Sequence, residues 1–319
     1  MKKRTIGIIG LGHVGAHVGN ALILKGLADE IVLVDTNKQK ATSERQDLMD
    51  LVLNAPHRVN VRVGDYEDMK DCDLIVNCVG KIDLLRNNEN RVSELNFNIE
   101  QVNDYIPKVM ASGFHGPIIN ISNPCDIITS QIRELSGLPE GYVMGTGTGL
   151  DTSRLISALA QKTGIDHHSI SAIMLGEHGK AIMFPESAVY FEGKPLKDLK
   201  GTDPRFDIDS QGMKKEVHDA AWVTFGGKFC TEYGIAGAAC RLVDAILHDT
   251  KTIIPVSAHL DGEYGQHDVC AGVPVIIGMN GVEKIVELPL TETEQKEFAE
   301  CCDSIRENMT KNDQVIRRF

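Results

Sequence analysis

Apolar residues in the first half of the chain alternate between short runs and longer stretches in which they recur every three or four positions. Short apolar runs are typical of strands that are buried on both faces, and the periodic stretches are typical of amphipathic helices. The predicted strands cover residues 6–9, 31–34, 74–79 and 118–121, and the predicted helices cover residues 14–25, 38–53 and 92–110. This alternation predicts a doubly wound parallel sheet with helices on both of its faces.

The pattern changes near residues 145–149, where three of five positions are glycine. A long helical stretch, a hairpin around Gly193, further helices and a β-rich segment over residues 254–286 follow this point. We therefore predict two domains. Residues 1–145 form the doubly wound domain, and residues 146–319 form a mixed α+β domain.

Composition narrows the class of protein. The chain has 319 residues, 42% of them hydrophobic and 24% charged, with a formal net charge of −12. A negative net charge repels a phosphate backbone, so we do not expect nucleic acid as a partner. The eight cysteines form no C-x-x-C pair, which favours a reducing cytoplasm. Because no apolar stretch reaches the roughly 20 residues of a membrane helix, we expect a cytoplasmic protein without a membrane segment.

A glycine-rich turn joins the first predicted strand to the first predicted helix. Residues 10–15 read GLGHVG and match the pattern G-x-G-x-x-G, which binds a dinucleotide pyrophosphate at a helix N-terminus. In this pattern Gly10 permits the tight turn, Gly12 lets the backbone approach the phosphates, and Gly15 lets the helix pack closely on the strand. A flexible turn is the alternative, but the position between strand and helix predicts a Rossmann domain.

Asp35 ends the second predicted strand, twenty residues after Gly15. A carboxylate at this point accepts hydrogen bonds from the adenosine ribose hydroxyls and repels a 2′-phosphate. Since no arginine follows in Thr36 and Asn37, the sequence predicts NAD rather than NADP as the cofactor. The alternative role for Asp35 is to cap the helix that begins at Lys38.

Three residues in the second half are candidates for proton transfer and anion binding. His178 follows a predicted strand in the glycine-containing segment LGEHG, which suits an imidazole that faces a cleft. Histidine exchanges protons near neutral pH. Asp151 and Arg154 lie three positions apart at a predicted helix start, so one helix face carries a carboxylate and a guanidinium. A structural histidine and a surface salt bridge are the simpler alternatives.

Together these motifs resemble the lactate/malate dehydrogenase family. The resemblance rests on the glycine motif, on Asp35 and on three segments in the family's order, which are 121–124 (ISNP), 147–154 (GTGLDTSR) and 175–179 (LGEHG). Within the family, residues 112–116 (SGFHG) look most like the L-2-hydroxyisocaproate dehydrogenases. Members are commonly homo-oligomers, so the resemblance implies a homo-oligomer, with a tetramer favoured over a dimer.

The resemblance implies a role for each candidate residue in hydride transfer between NADH and a 2-oxo acid, with no metal in the site. His178 would be the general acid and base, and Asp151 would orient it and favour its protonated form. Arg154 would hold the substrate carboxylate through two hydrogen bonds. Arg91 would polarise the carbonyl when a loop closes, and Asn123 would contact the substrate oxygen and the nicotinamide ribose. The simpler roles are a solvated arginine and a turn former.

The loop at residues 81–90 bears on which acid is the substrate. It lacks the glutamine of lactate enzymes, and counting back from Arg91 places Leu85 at the discriminating position, beside Leu84. Apolar side chains there predict a branched or aromatic 2-oxo acid such as 2-oxoisocaproate. A shift of one residue would instead place Arg86 against the substrate and favour oxaloacetate.

Further residues bear on the same choice. Thr231 and Ile235 match the family's substrate-pocket helix and favour monocarboxylates. Lys180 stands where the family usually has aspartate or asparagine, which adds a cation near the site. Lactate and malate dehydrogenase activities are the alternatives to hydroxyisocaproate activity, and an inactive NAD-binding sensor is the alternative from another class.

Overall fold

Six parallel strands form the first part of one continuous sheet. The computed structural model describes residues 3–81, Leu84 and residues 91–310, and at residues 91–93 it describes the backbone alone. In space the strands follow the order third, second, first, fourth, fifth, sixth, which is the order of a Rossmann domain and confirms the predicted fold class. The parallel strands are β1 (Thr5–Ile9), β2 (Glu30–Val34), β3 (Asn60–Val63), β4 (Leu74–Asn77), β5 (Ile118–Asn120) and β6 (Val143–Gly145).

Antiparallel strands extend this sheet beyond β6. The remaining strands are β7 (Ile170–Ser171), β8 (Leu175–Gly176), β9 (Ile182–Met183), β10 (Tyr190–Phe191), β11 (Lys194–Pro195), β12 (Thr252–Asp261), β13 (His267–Gly278) and β14 (Gly281–Ile285). Gly145, Ser257, Gly272 and Gly176 stand in one row across β6, β12, β13 and β8. The row brings the turn after β8, which carries His178, beside the carboxyl end of β6.

Nine α-helices have described bounds, apart from short 3₁₀ segments. They are α1 (His13–Leu24), α2 (Lys38–Leu51), α3 (Arg91–Ala111), α4 (Cys125–Ser136), α5 (Gly149–Thr163), α6 (Leu196–Leu199), α7 (Ser210–Lys228), α8 (Tyr233–Leu247) and α9 (Glu292–Thr310). Within the part of the chain that the structure describes, none of them has the length and the apolar content needed to cross a membrane.

Apolar side chains from both halves of the chain share one core. Ile8 in β1, Val243 in α8 and Phe298 in α9 belong to the same buried cluster, and α8 packs against α1 and β13. A second cluster, which includes Leu159 and Phe191, lies between α5 and the small sheet of β7, β10 and β11. The shared core therefore holds the glycine turn at the start of α1 close to the residues that precede α8.

Candidate active site

The glycine motif forms the turn between β1 and α1, and packing explains its residues. Gly10 has a φ of +89°, and a Cβ there would lie 2.8 Å from the backbone of Cys78. A Cβ on Gly15 would lie 2.0 Å from the carbonyl oxygen of Gly10. Around Gly12, in contrast, no described atom lies within 4 Å of a Cβ position. The backbone at Gly12 and the N-terminus of α1 thus face open space that suits a pyrophosphate.

Asp35 is held directly beside this turn. Its Oδ2 accepts a hydrogen bond from the backbone N–H of Leu11 at 2.8 Å, and its Oδ1 accepts one from Asn37 at 2.8 Å. Each carboxylate oxygen can accept a further hydrogen bond from a ribose hydroxyl. The cap of α2 is Asn37, whose side chain accepts from the N–H of Lys40 at 3.1 Å. The geometry of Asp35 therefore fits the ribose of NAD better than the alternative capping role.

Asp151 joins His178 to Arg154 through its two carboxylate oxygens. Oδ2 lies 2.6 Å from Nδ1 of His178, and Oδ1 accepts a hydrogen bond from Nη1 of Arg154 at 2.9 Å. Asp151 and Arg154 lie in the first turns of α5, on one face of the helix, as their spacing predicts. All three side chains are largely buried, with exposed fractions of 18% or less. The burial of Asp151 and Arg154 excludes the simpler alternative of a surface salt bridge.

The charge of Asp151 is maintained despite its burial. Burial raises the pKa of this carboxyl, but the nearby charges and hydrogen bonds of His178 and Arg154 outweigh it and lower the pKa below its ordinary value. Asp151 is therefore ionised at neutral pH and favours a protonated imidazole at His178. Because Nδ1 of His178 bonds to Asp151, proton exchange with a reactant falls to Nε2.

A second carboxylate, which the sequence reasoning missed, contacts the backbone of His178. Asp126, in the first turn of α4, accepts a hydrogen bond from the backbone N–H of His178 at 3.0 Å and one from the hydroxyl of Ser257 at 2.6 Å. Burial raises its pKa to about 6, against the lowering effect of these hydrogen bonds. The signal in the sequence is that Asp126 is the only charged residue among residues 119–132.

Asn123 follows β5 and faces the same end of the sheet. Its backbone carbonyl accepts a hydrogen bond from Nδ2 of Asn98 at 2.6 Å. Its side-chain Oδ1 is buried and has no hydrogen-bond partner among the described residues. A buried amide oxygen without a donor is costly, so a ligand hydroxyl is a natural partner for it. This oxygen is therefore available for the ligand contact that the family resemblance implies.

Thr231 and Ile235, which are predicted to line the substrate pocket, lie at the start of α8. Oγ1 of Thr231 accepts a hydrogen bond from Nη2 of Arg154 at 3.5 Å, and Ile235 is buried. The next residue, Glu232, pairs with Lys228 and lies 2.8 Å from Nδ1 of His13 in the glycine turn. The contact between Glu232 and His13 connects the glycine turn to the segment that carries Thr231.

Some residues of the predicted site lie wholly or partly outside the described residues. Leu85 and Arg86 lie outside the described residues. Arg91 is the first residue of α3, but its side chain is not described. Leu84 is half-buried, and its N–H donates a hydrogen bond to the carbonyl of Lys81 at 3.1 Å.

Lys180 and a pair of histidines four positions apart, His13 and His17, remain to be placed. Lys180 is exposed, two residues after His178. Nδ1 of His17 lies 2.7 Å from the backbone carbonyl of His13. Among residues 3–81 and 91–310, no group of three or more histidine, cysteine, aspartate or glutamate side chains is arranged to hold a metal ion.

Known proteins with similar sequences cover both halves of the chain. Residues 4–145 match the family model described as lactate/malate dehydrogenase, NAD binding domain, and residues 148–315 match that for its alpha/beta C-terminal domain. The chain is 42% identical to an L-lactate dehydrogenase of Fusobacterium nucleatum over 304 residues, which is 95% of each protein. It is 39% identical to L-lactate dehydrogenase 3 of Bacillus cereus, covering 97% of this chain and 98% of the relative.

Solved structures show the same similarity. The minor L-lactate dehydrogenase from Enterococcus mundtii in its ligand-bound form gives a TM-score of 0.92 at 34% identity, over 97% of this chain and 98% of the other. A lactate dehydrogenase from a deep-sea metagenome library gives a TM-score of 0.92 at 31% identity, over 97% and 99% of the two chains. The similarity therefore extends along almost the full length of the fold.

Proposed function

Because the chain belongs to the lactate/malate dehydrogenase family and its cofactor is NAD(H), we propose that it interconverts pyruvate and L-lactate. The observation that carries the proposal is the contact of one carboxylate, Asp151, with both His178 and Arg154. It places a proton donor beside a cation that can bind a carboxylate. The names of the relatives favour lactate over the branched or aromatic acids that the loop sequence predicts.

In this proposal each side chain has a defined task. NADH supplies a hydride to C2 of the 2-oxo acid when it is bound. His178 donates the proton on Nε2 to the carbonyl oxygen, while Asp151 keeps the imidazole oriented and charged. Arg154 binds the substrate carboxylate with two parallel hydrogen bonds, a geometry that lysine does not offer. Arg91 keeps its predicted role of polarising the carbonyl.

The cofactor is held by residues at the carboxyl end of the parallel strands. The turn shaped by Gly10, Gly12 and Gly15 would bind the pyrophosphate, and Asp35 would bind the adenosine ribose. The unpartnered Oδ1 of Asn123 would accept a hydrogen bond from the nicotinamide ribose. These assignments follow from the open backbone at Gly12 and the fixed carboxylate of Asp35.

A 2-oxo acid with a larger apolar side chain, such as 2-oxoisocaproate, is a second candidate substrate. The observation that favours it is the apolar character of Leu84, which is half-buried, and of Ile235, which is buried. An apolar pocket discriminates by only about 1–3 kcal/mol per methylene, so activity on several monocarboxylates is compatible with one site.

Initial rates of NADH oxidation test the proposal with pyruvate, 2-oxoisocaproate, phenylpyruvate and oxaloacetate at matched concentrations. We expect the highest kcat/KM with pyruvate. A preference for 2-oxoisocaproate or phenylpyruvate would support the hydroxyisocaproate assignment, and a preference for oxaloacetate would indicate a malate dehydrogenase with Arg86 at the substrate. NADH binding without turnover of any acid would support the inactive sensor. The His178→Asn variant is the control for turnover at this site.

The resemblance also carries expectations about assembly and location. We propose a homo-oligomer, with a tetramer favoured over a dimer, acting in the cytoplasm. We retain the division into residues 1–145 and 146–319 as a proposal for the domain boundary. Sedimentation velocity at several protein concentrations tests the assembly, and a monomer at all of them would contradict it.

A further inference from the structure

The first residue of α1 is a histidine, His13, whose side chain has no task in the proposed function. It follows Gly12 directly, at the end of the helix that faces the open space at the glycine turn. The N-terminus of a helix carries a partial positive charge, so a cationic side chain there is unfavourable unless an anion lies beside it. The role of His13 therefore depends on the anions that its side chain can meet.

Glu232 is the anion beside His13 in the structure. Glu232 is buried directly before α8, and its Oε1 lies 2.8 Å from Nδ1 of His13. Hydrogen bonds, first from Lys228 and then from His13, lower the pKa of the Glu232 carboxyl against the effect of burial, so the group is ionised at neutral pH. Because an ionised carboxylate only accepts hydrogen bonds, Nδ1 of His13 carries a hydrogen in this contact.

The contact with Glu232 leaves Nε2 as the nitrogen of His13 that can meet a ligand. The side chain is 54% exposed, so a ligand has access to it. In a neutral imidazole with its hydrogen on Nδ1, Nε2 offers a lone pair, which repels a phosphate oxygen; in the imidazolium Nε2 is a donor. His13 can therefore donate a hydrogen bond from Nε2 to a phosphate only when it is protonated.

We propose that His13 is a proton-dependent ligand of the dinucleotide pyrophosphate, which meets Nε2 of the imidazole while Glu232 holds Nδ1. The proposal rests on the NADH site inferred above at the glycine turn. The protein would then bind NADH more tightly at lower pH and would take up a proton from the solvent at Nε2 of His13. This contribution is lost as the pH rises through the range in which histidine titrates.

The other titratable groups that face His13 come from four helices. On α1, at the end of α7 and at the start of α8 they are His17, Lys228, Glu232 and Tyr233. Three groups of α2 line the same cavity of about 480 Å³, and they are Lys40, Glu44 and Asp47. The charge of His13 also acts on the Glu44 carboxyl, which places α2 within electrostatic reach of the imidazole.

His17, one turn further along α1, differs from His13 in its contacts. Its Nδ1 donates a hydrogen bond to the backbone carbonyl of His13 at 2.7 Å, and its Nε2 lies 4.0 Å from Oε2 of Glu232. Both of its ring nitrogens thus lie close to acceptors of the protein itself. Of the two histidines, His13 is the one whose Nε2 is left for a ligand.

Isothermal titration calorimetry with ADP-ribose tests the proton uptake directly. ADP-ribose carries the pyrophosphate and leaves the nicotinamide and substrate parts of the site empty, so it does not engage His178. Titrations at about pH 7 in two buffers of different ionisation enthalpy give the number of protons taken up. We expect a fraction of a proton for the wild-type protein and none for His13→Gln, which can still donate to Glu232 but does not titrate. No uptake by the wild-type protein would overturn the proposal.

The pH dependence of the affinity gives a second readout. His13→Gln should weaken ADP-ribose binding about five- to tenfold near pH 6, and by less than about twofold near pH 8.5, where histidine is neutral. Adenosine, measured by competition with NADH, lacks the pyrophosphate and should bind both proteins equally. An equal loss of ADP-ribose affinity at both pH values, or an equal loss for adenosine, would show a merely structural role and contradict the proposal.

Two other histidines are matched controls for His13→Gln. His17→Gln makes the same change one turn along α1, and His248→Gln makes it beside Asp244, at 2.7 Å, at the end of α8. Both variants should keep the proton uptake of the wild-type protein. Loss of the uptake in His17→Gln, with uptake retained in His13→Gln, would overturn the assignment to His13.

If His13→Gln does not fold, Glu232→Gln tests the same contact with His13 in place. It removes the neighbouring anion, so the pH at which ADP-ribose affinity falls should move to a lower value. An unmoved pH dependence would contradict the proposal. None of these measurements requires turnover. Proton uptake at His13 in a protein that reduces no 2-oxo acid would support this inference and contradict the proposed function, and full lactate dehydrogenase activity without proton uptake would do the reverse.

Discussion

The substitution Asp151→Asn removes one negative charge from between His178 and Arg154 and leaves the size of the side chain almost unchanged. The carboxylate oxygen lies 2.6 Å from Nδ1 of the imidazole. With charge centres about 4 Å apart and an effective dielectric constant of about 20, the attraction between carboxylate and imidazolium is about 4 kcal/mol. The retained amide hydrogen bond reduces the net loss to about 2–4 kcal/mol, so kcat/KM for pyruvate should fall by about 30- to 1000-fold.

The assay is the initial rate of NADH oxidation across a range of pyruvate concentrations at saturating NADH and near neutral pH. The NADH dissociation constant, measured by fluorescence, should not change, because Asp151 contacts His178 and Arg154 and none of the residues proposed to bind NADH. Asp166→Asn is a matched control, since Asp166 lies 2.9 Å from Nδ1 of His168 but both side chains are mostly exposed. This variant should retain full activity.

The division of the effect between kcat and KM decides between two roles for Asp151. Loss of imidazolium support lowers kcat, whereas loss of the contact with Arg154 weakens substrate binding and raises KM. We expect kcat to carry most of the effect. An Asp151→Asn enzyme with unchanged kcat would refute the reasoning about proton transfer, even if its KM were raised.

Three further predictions concern the substrate, the cofactor and the fold. Arg154→Lys replaces a forked donor by a point charge, so the KM for pyruvate should rise by about 10- to 100-fold, and an unchanged KM would contradict its role as carboxylate anchor. Asp35→Ser removes the charge that repels a 2′-phosphate, so the preference for NADH over NADPH in kcat/KM should fall by at least about tenfold; an unchanged preference would count against Asp35 as the ribose ligand. Hydrogen bonds from Arg4 hold the pKa of Asp29 well below its usual range despite partial burial. Asp29→Asn should therefore cost about 1–2 kcal/mol of unfolding free energy at neutral pH, and this difference should shrink progressively as the pH falls below about 4 towards the lowered pKa of Asp29. Urea unfolding at neutral and acidic pH measures it, and an equal loss at both would contradict the ion-pair explanation.

Local patterns predict most of the parallel sheet because its strands are buried on both faces. All five residues of β1 and of β2 are buried, and both strands appear as apolar runs in the sequence. Within residues 1–145, the predictions omitted two strands and one α-helix. Asn60–Val63 is partly exposed and includes polar residues, and Val143–Gly145 has only three residues. Neither strand therefore appears as a clear apolar run in the sequence. Cys125–Ser136 follows Pro124 directly, where the sequence suggests a turn.

The site depends on contacts that periodicity cannot encode. The i, i+3 spacing of Asp151 and Arg154 predicts their shared face, and the structure brings them into contact. His178 meets Asp151 only because β8 joins the sheet through β13 and β12, strands that come much later in the chain. At the level of sequence, only the resemblance to the family implied the contact between His178 and Asp151. No local sequence pattern linked Asp126 to His178, because the two residues lie 52 positions apart. The residues that bear most on substrate choice lie in the loop at residues 81–90.

The central claim is that Asp151, His178 and Arg154 form the site at which NADH reduces a 2-oxo acid. The most direct test incubates the protein with NADH and pyruvate and identifies the product by chiral chromatography, alongside the His178→Asn variant. The account predicts one L-lactate for each NADH consumed, and a variant that binds NADH normally but loses at least about a thousandfold in rate. A wild-type protein that binds NADH and reduces no 2-oxo acid, or a His178→Asn variant that keeps its activity, would contradict the account.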